Sequence, residues 1–199
     1  MIKILRNKSK VRNPSIPQNI KNLFYGNVDI NFLDSGAEAD VYYFENKDDI
    51  IVDNYLLHPR KYILKYYFNK FLYSSSKQIR YLKKLSDKKL IPKIYIITSD
   101  FIVMKFIEGT NLEKLLDKGR YKSLSSKKEL INNIKNELSK WHNNNFIHND
   151  LSPSNILISN NGKVWLIDPD ISWINEPTRL TNIHKNEEIK FVNYSLLDM

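Results

Sequence analysis

Short apolar segments, typical of β-strands, dominate the first half of the chain. They combine alternating apolar and polar positions with β-branched and aromatic residues, which strands favour. There are five of them, at residues 28–32, 41–44, 62–67, 94–97 and 101–106. The pattern predicts a five-stranded sheet, in which the polar stretch 45–60 connects the second strand to the third.

Helical spacing of apolar residues appears mainly in the middle of the chain. The segments are residues 74–85, 112–116 and 127–143. The longest of them carries five apolar residues on one face. Ser126 and Glu129 have the spacing of a capping box, so we expect Ser126 to be the N-cap of this helix.

The last third of the chain adds a polar loop and a hairpin. The loop covers residues 146–155, and two short apolar runs at 156–158 and 163–167 flank the turn-forming residues 160–162. Strands in the first half and helices with a hairpin in the second predict an α+β fold of two lobes. Near the end of the chain, residues 186–197 can supply about one short helix.

Composition narrows the function classes. The 199 residues contain no cysteine, which excludes a disulfide framework, cysteine-ligated metals and a cysteine nucleophile. No apolar run approaches the ~20 residues of a membrane span, and residues 1–10 lack the apolar stretch of a secretory signal. We therefore expect a cytoplasmic protein, in the host cytoplasm if it is a secreted effector or viral.

The net charge of +9 favours anionic partners. Much of it lies in two blocks, one in the first 28 residues and one at residues 77–93. Pro14 and Pro17 indicate that residues 1–27 form an irregular basic arm. Both blocks are compatible with a solvated surface or with docking of RNA or of an acidic protein.

Four polar residues have a spacing that suggests chemistry. His148, Asp150 and Asn155 form the pattern H-x-D-x-x-x-x-N, and Asp168 follows an apolar strand. Phosphoryl transfer from a magnesium nucleotide needs one carboxylate that orients the attacking hydroxyl, with an amide oxygen and a second carboxylate on Mg²⁺. The alternative is an ordinary polar loop in which Asp and Asn form turns.

These residues resemble the catalytic core of the protein-kinase-like superfamily. The resemblance implies that Asp150 is the catalytic aspartate, that Asn155 and Asp168 bind Mg²⁺, and that ATP is the phosphate donor. His148 would be the packing histidine of the loop. The match covers roughly residues 32–171.

The segment between the first two strands lies where these kinases cover the nucleotide. It contains Gly36, Ala37, Glu38 and Val41 but a single glycine, so it is not G-x-G-x-x-G. In this it resembles the loop of the RIO kinases and of the small kinase of the KEOPS complex. Both groups also favour Ser or Thr two residues after the catalytic Asp, where Ser152 stands here, so the resemblance implies a catalytic role for Ser152.

Lys65, between apolar residues on the third strand, matches the phosphate-binding lysine, with Lys61 as the fallback. The alternative explanation of Lys65 is a charge that protects an edge strand. The lysine of these kinases usually pairs with a helix Glu, and Gln78 occupies that position here. Gln can hydrogen-bond a lysine but cannot form an ion pair with it, although Glu38 is another acid that could reach Lys65.

The fifth strand resembles the strand that precedes the kinase hinge. By this match the backbone of Lys105 and Ile107 would bind adenine, and Met104 would line the pocket. Asn111 would lie near the ribose, and Leu157 is the remaining nucleotide contact that the resemblance implies.

The region after Asp168 departs from typical protein kinases. It has no A-P-E motif and no room for the helices that hold peptide substrates. RIO and KEOPS kinases lack that platform too, as do minimal effector kinases of the OspG type. We therefore expect an activating or substrate-presenting protein partner.

The sequence thus predicts a two-lobed protein-kinase-like fold with a five-stranded N-lobe and a reduced, mainly helical C-lobe. The predicted parts are the basic arm 1–27, the N-lobe 28–104, and the hinge with a truncated C-lobe 105–199. The expected function is a minimal serine/threonine protein kinase that uses ATP and Mg²⁺. A pseudokinase that binds a partner, and a small-molecule kinase of the aminoglycoside or choline type, remain as alternatives.

Overall fold

The computed structural model describes residues 16–25, 28–36, 39–68, 76–121, 123–170 and 178–195. The chain forms two compact units. The first contains residues 1–72 and 95–104, and the second contains residues 73–94 and 105–199. In the described part of the chain, no helix is both long enough and apolar enough to cross a bilayer.

The described strands and helices follow one another in an order that places most strands first. The strands are β1 (Phe24–Tyr25), β2 (Asp29–Ser35), β3 (Ala39–Asn46), β4 (Ile50–Val52), β5 (Tyr55–Leu57), β6 (Arg60–Tyr67), β7 (Ile94–Ile97), β8 (Phe101–Lys105), β9 (Gly109–Asn111), β10 (Ile156–Ser159) and β11 (Val164–Leu166). The helices are α1 (Gln18–Lys21), α2 (Ser76–Asp87), α3 (Leu112–Asp117), α4 (Leu124–Asn143) and α5 (Thr178–Lys190).

The first unit is built on a five-stranded sheet, as the alternating pattern predicts. Its strand order is β2-β3-β6-β8-β7, so β6 is the central strand. Strand β3 pairs antiparallel with β6 along its whole length, from Ala39 opposite Tyr67 to Asn46 opposite Arg60. One face of the sheet is apolar because alternate residues of each strand point to the same side.

Aromatic rings fill the core of this unit. Phe44 is fully buried and stacks on Tyr62 with ring centroids 5.0 Å apart. The Phe24 ring meets the Phe44 ring edge-on, with ring centroids 4.9 Å apart. Such ring pairs add specific geometry to the burial of a large apolar area.

The predicted polar connection at residues 45–60 is instead a hairpin. Strands β4 and β5 pair antiparallel, with Val52 opposite Tyr55, and β1 adds to the other side of β4. The turn residues Asp53 and Asn54 both have positive φ, at 46° and 69°. Asp and Asn tolerate the left-handed conformation that tight hairpin turns require.

The prediction of irregular structure before Val28 is wrong for residues 16–25. These residues form α1 and β1, and Ile20 and Phe24 are buried in the aromatic core of the first unit. The apolar residues of the segment decide its structure more strongly than its prolines, since Pro17 lies just before the helix and at its N-cap. Residues 1–15, which hold most of the basic charge of the arm, lie outside the described residues.

The second unit is mainly helical, with a small sheet in the order β11-β10-β9. Gly109 lies where β9 approaches β10, and a Cβ there would come within 2.4 Å of the carbonyl oxygen of Ile158. No side chain fits at that distance, so glycine is required for this pairing. The sheet places the loop before β10 next to α3.

Helix α4 begins earlier than the capping box predicts. Ser123 is its N-cap, because the Oγ atom of Ser123 accepts a hydrogen bond from the backbone N–H of Ser126 at 3.1 Å. Ser126 is therefore inside the first turn, and its prediction as the cap is wrong. A serine three residues upstream offers the same chemistry one turn earlier. Helix α5 likewise begins at Thr178, earlier than the short helix expected from residues 186–197.

Candidate active site

The segment that connects α4 to β10 carries the predicted catalytic residues. It ends in one turn of 3₁₀-helix at Pro153–Asn155. Asn149 has a φ of 62°, a left-handed conformation that Asn adopts more readily than most residues. The chain therefore reverses locally just before Asp150.

Asp150 and Asn155 are joined directly. The Nδ2 atom of Asn155 donates to the Oδ2 atom of Asp150 at 2.8 Å and to its carbonyl oxygen at 2.9 Å. The first bond restricts the rotation of the Asp150 carboxylate, which is on the surface, and the second ties Asn155 to the backbone of Asp150. They also use the nitrogen end of the Asn155 amide, so its Oδ1 atom is the end that suits a cation.

Asp168 lies at the neighbouring end of the same hairpin. Ile156 pairs with Leu166, and the N–H of Ile167 donates to the carbonyl oxygen of Asn155 at 2.9 Å. Asp168 is exposed and has a φ of 59°. The hairpin thus brings the backbone of Asn155 next to the residue that precedes Asp168.

The donor set of this hairpin fits Mg²⁺. The amide oxygen of Asn155 and the carboxylate of Asp168 are hard oxygen ligands, which Mg²⁺ prefers. Among the described residues, no group of three His, Asp or Glu side chains forms a metal cage.

His148 fixes the loop to the hairpin. The side chain is fully buried, and its Nε2 atom lies 2.7 Å from the carbonyl oxygen of Ile167. Burial lowers the pKa of His148 below its usual value, against the opposing effects of Glu188 and of that carbonyl. A neutral ring with its proton on Nε2 can donate this bond. The structure therefore gives His148 the packing role that the sequence predicts.

A residue that the sequence analysis did not single out supports the loop through hydrogen bonds to its backbone. Glu188 of α5 is 4% exposed, and its Oε1 atom accepts hydrogen bonds from the backbone N–H groups of His148 and Asn149, each at 2.6 Å. Its Oε2 atom lies 2.7 Å from the Nε2 atom of His142 on α4. One carboxylate thus holds the loop, α4 and α5 together.

The apolar periodicity of α5 does not indicate this role of Glu188. Ile183 and Ile189 are about half exposed, whereas Glu188 is buried. Helical periodicity places apolar residues inside and acids outside, so it predicts the reverse. A search for an acid that could satisfy the two loop N–H groups would have been the useful signal.

Asp170 closes the loop on its other side. Its backbone N–H donates to the carbonyl oxygen of His148 at 2.9 Å, and its Oδ2 atom accepts from the Nδ2 atom of Asn149 at 2.8 Å. The sequence analysis does not single out Asp170. In the structure it helps to hold Asn149 in its left-handed conformation.

Helix α2 is attached to the same loop through Tyr81. The Tyr81 hydroxyl donates to the carbonyl oxygen of Ile147 at 3.0 Å and accepts from the N–H of Ile147 at 3.3 Å. Burial raises the pKa of Tyr81, so the hydroxyl keeps its proton. Gln78, on the same helix, is half-buried and also interacts with another group of the protein.

Three of the predicted nucleotide residues share one face of the five-stranded sheet. Val41 lies directly opposite Lys65 in the β3–β6 register, so the two side chains are neighbours. The aromatic core uses the other face, through Tyr62 on β6 and Val103 on β8. By the alternation of β8, Met104 lies on the same face as Lys65.

The position of Lys65 removes the alternative explanation of its charge. Its strand is central in the sheet, so a lysine there cannot serve to protect an edge. Lys61, the fallback, lies opposite Glu45, where a cross-strand pair of opposite charges explains it. Lys65 is therefore the better candidate for a phosphate.

The predicted hinge contacts are restricted by a bond within the protein. The N–H of Lys105 donates to the carbonyl oxygen of Lys93 at 2.8 Å, so this N–H is already used within the protein, and the adenine contact of Lys105 stays a prediction. Asn111 is the N-cap of α3, through its Oδ1 atom and the N–H of Lys114 at 3.0 Å. Leu157 pairs with Asn111 across β9 and β10. The predicted contact of Ile107 with adenine stays a prediction.

Of the remaining predicted site residues, some have described contacts and others lie outside the described residues. The N–H of Gly36 donates to the carbonyl oxygen of Ala39 at 2.9 Å, which closes the turn between β2 and β3. Ala37 and Glu38 lie outside the described residues. The hydroxyl of Ser152 lies 2.8 Å from that of Ser154, on the surface of the loop.

Comparison with known proteins gives the class of this chain. The family model of the RIO domain matches residues 60–174, more than half of the chain. The chain therefore belongs to the RIO domain family, and its fold is the two-lobed α+β fold of protein-kinase-like proteins.

Shorter matches link the chain to protein kinases. It is 30% identical over 84 residues to the probable serine/threonine-protein kinase PknB of Lactococcus lactis, a match that covers 42% of this chain and 13% of the relative. It is 31% identical over 91 residues to the serine/threonine-protein kinase RIM15 of Saccharomyces cerevisiae, covering 44% of this chain and 5% of the relative. The chain thus spans a small part of the length of these curated relatives.

Proposed function

We propose that the protein is an ATP- and Mg²⁺-dependent phosphotransferase, a minimal serine/threonine protein kinase that works with a protein partner. One observation carries the proposal. The Asp150 carboxylate is held by Asn155 at one end of a hairpin, and Asp168 follows the other end. Membership of the RIO domain family and the serine/threonine kinases among the relatives support the same reaction class.

In the proposed reaction the hydroxyl of a Ser or Thr side chain attacks the γ-phosphorus of ATP. A new O–P bond forms, the bond to the β-phosphate oxygen breaks, and ADP leaves. Asp150 accepts a hydrogen bond from the hydroxyl and takes up its proton. Mg²⁺ supplies charge neutralisation at the phosphates, and Asn155 and Asp168 would hold it.

The side chains of the first unit would contribute to nucleotide binding. Lys65 is a compact positive charge on a central strand, which suits the α- and β-phosphates. Val41 and Met104, on the same face of the sheet, offer apolar contacts to the adenine ring. The carbonyl of Lys105 and the N–H of Ile107 would bind its polar edge.

Transfer of the γ-phosphate from labelled ATP tests this proposal. The full chain would be incubated with Mg²⁺ and casein, and both casein phosphorylation and autophosphorylation would be measured. Asp150→Asn and Asp168→Asn should each reduce the rate by about 10²-fold or more, because each removes a charge from the reacting centre. Asp117→Asn, at an exposed position of α3, is the matched control and should retain the wild-type rate.

Two results would contradict the proposal. An Asp168→Asn variant with the full rate would remove Asp168 from the site. A wild type with no transfer and no ATP hydrolysis, with or without candidate partner proteins, would reject the enzyme.

A second candidate function is a partner-binding module that has the kinase fold without transfer. Gln78 favours it, because a Gln on α2 cannot form an ion pair with the phosphate-binding lysine. Restoring the acid with Gln78→Glu separates the two functions. A catalytic protein should keep or raise its rate, whereas a binding module should show no transfer in either form.

A further inference from the structure

The small sheet of the first unit, in the order β1-β4-β5, has an apolar outer face. Successive residues of a strand point to opposite sides of a sheet. One side of this sheet faces the core and includes the buried side chains of Phe24 and Val52. The other side is exposed to solvent, and it carries Tyr25 at 63% exposure, Ile51 at 44% and Leu56 at 58%.

The three exposed side chains form one continuous row. Tyr25 lies directly opposite Ile51 in the β1–β4 register, and Ile51 lies directly opposite Leu56 in the β4–β5 register. Opposite side chains on one face of an antiparallel pair are close enough to touch. We call these three residues the apolar row. Of the seven large apolar side chains that are exposed in the described part of the chain, four belong to this small sheet, and such concentration marks an interaction surface.

Acidic residues lie at both ends of the central strand of the row. Asp49 precedes β4, and its Oδ1 atom lies 3.0 Å from the Nδ1 atom of His58, just after β5. Asp53 follows β4, and its backbone N–H donates to the carbonyl oxygen of Leu23, just before β1, at 2.8 Å. Each of the two acids is two residues from Ile51, so their Cα atoms lie within about 7 Å of that of Ile51.

The charge of this region selects the chemistry of what covers the row. Residues 45–57 contain four acids and one base, in a chain with 31 bases and 22 acids. This region is therefore negative within a positively charged protein. It repels the phosphates of nucleic acids and of anionic membranes, and it attracts Lys and Arg.

A second copy of this chain does not fit the row. In a two-fold contact the same patch meets itself, so Asp49 and Asp53 of one copy would approach those of the other. The three side chains of the row, each about half exposed, also supply only roughly 300 Å², whereas a stable dimer buries about 800 Å² on each partner. A short segment of another protein needs less area.

We propose that the apolar row docks a basic amphipathic segment of a partner protein. Apolar side chains of that segment cover Tyr25, Ile51 and Leu56, and its Lys or Arg residues pair with Asp49 and Asp53. The proposal rests on the proposed function in one respect, because it gives the expected protein partner a surface and a chemistry. Docking itself requires no phosphoryl transfer.

Fluorescence anisotropy with a labelled peptide of alternating Lys and Leu residues tests the proposal. The full-length variant Ile51→Thr/Leu56→Thr keeps residues that favour strands, and it should bind the peptide at least about tenfold more weakly because it removes the central apolar contacts. The matched control is Ile183→Gln/Ile189→Gln, which removes similarly exposed apolar side chains from α5 and should bind the peptide as wild type does.

The acidic residues supply a second variant that leaves the apolar side chains unchanged. Asp49→Asn/Asp53→Asn should weaken binding about fivefold at low salt and less at high salt, because exposed ion pairs are weak and are screened by salt. Asp29→Asn/Asp117→Asn removes the same charge from exposed positions of β2 and α3, and its binding should equal that of wild type.

Four results would overturn the proposal. The first is a dissociation constant above about 1 mM for wild type and the Lys/Leu peptide. The second is equal weakening by Ile51→Thr/Leu56→Thr and by the α5 control. The third is equally tight binding of a peptide with Glu in place of Lys, or with Ser in place of Leu. The fourth is a dimer, seen by sedimentation velocity, that Ile51→Thr/Leu56→Thr dissociates, since a second copy would then cover the row.

A failure of the proposed function would give a different result. Asp150→Asn should bind the peptide as wild type does, although it should transfer phosphate slowly. A wild type that binds the peptide through the row but transfers no phosphate would reject the enzyme and retain the docking surface.

Discussion

The sheet of the first unit and the loop of the second position polar side chains by different means. Lys65 is held because its strand has neighbours on both sides and an aromatic core beneath it. Asp150 lies in a loop, and the backbone of His148 and Asn149 just before it is fixed by hydrogen bonds to the buried Glu188 and to Asp170. Buried apolar area therefore holds Lys65 in place, whereas a few buried polar groups hold Asp150 in place.

The two arrangements respond differently to mutation. An apolar core loses stability gradually with each methylene removed, because neighbours relax into part of the space. A buried carboxylate that serves two N–H groups and a histidine has no partial replacement, since each group it leaves becomes unpaired. The stability of the loop should therefore depend on individual hydrogen-bonding atoms, and the stability of the sheet on the volume of its core side chains.

The largest expected effect follows removal of Glu188. Glu188→Ala leaves the N–H groups of His148 and Asn149 without an acceptor and removes the partner of His142. We expect a loss of about 3–5 kcal/mol in the free energy of unfolding, measured by urea denaturation. Glu188→Gln keeps a neutral acceptor oxygen and should lose less.

Two variants control this experiment. Glu187→Ala, at the neighbouring exposed position, should change stability by less than about 0.5 kcal/mol. Phe44→Ala, in the core of the sheet, should also cost about 3–5 kcal/mol, although it removes a whole aromatic ring. If Glu188→Ala were as mild as Glu187→Ala, the loop would not depend on this carboxylate.

A smaller effect concerns pH. The folded protein holds His148 neutral because burial lowers its pKa, whereas an unfolded His has a pKa near 6.5. Below about pH 6.5 the unfolded chain therefore binds one more proton at this position, and stability falls with pH by up to about 1.4 kcal/mol per unit. The loss continues until the pH reaches the lowered pKa of the folded state.

Urea denaturation at several values between pH 7.5 and 5 measures this slope. His148→Gln lacks the titrating ring, so its slope should be smaller by up to one proton. Equal slopes in the two proteins would show that His148 does not remain neutral on folding.

The smallest of these effects is expected for Tyr81→Phe. The change removes the hydroxyl that bonds both backbone groups of Ile147, and it should cost about 1–2 kcal/mol. Because the bond attaches α2 to the loop, the rate of phosphoryl transfer should fall as well. Tyr25→Phe, at an exposed position of β1, is the control and should change neither quantity. A transfer rate unchanged by Tyr81→Phe would show that the attachment of α2 to the loop does not affect phosphoryl transfer.

The sequence predicts the sheet well because its signal is local. Alternation and β-branched residues are read from neighbouring positions, and all five strands are present near the expected places. The sequence analysis does not predict the hairpin of β4 and β5, because each strand has only three residues and the pair follows the charged stretch 45–49. Asp53-Asn54 between them is the turn signal that indicates it.

The site is predicted in part. Asp150, Asn155 and Asp168 follow from motif spacing, and the structure joins Asp150 to Asn155 directly. Glu188 could not be predicted, because its role depends on two N–H groups far away in the sequence and it contradicts the periodicity of α5.

The role of Glu188 has a consequence for the order of synthesis. A ribosome makes the loop with Asp150 and the hairpin with Asp168 before it reaches Glu188. Until that residue has emerged, the N–H groups of His148 and Asn149 have no carboxylate to bind. A nascent chain can therefore hold its catalytic motif and still lack the shape of the site, which is completed only when α5 has been translated.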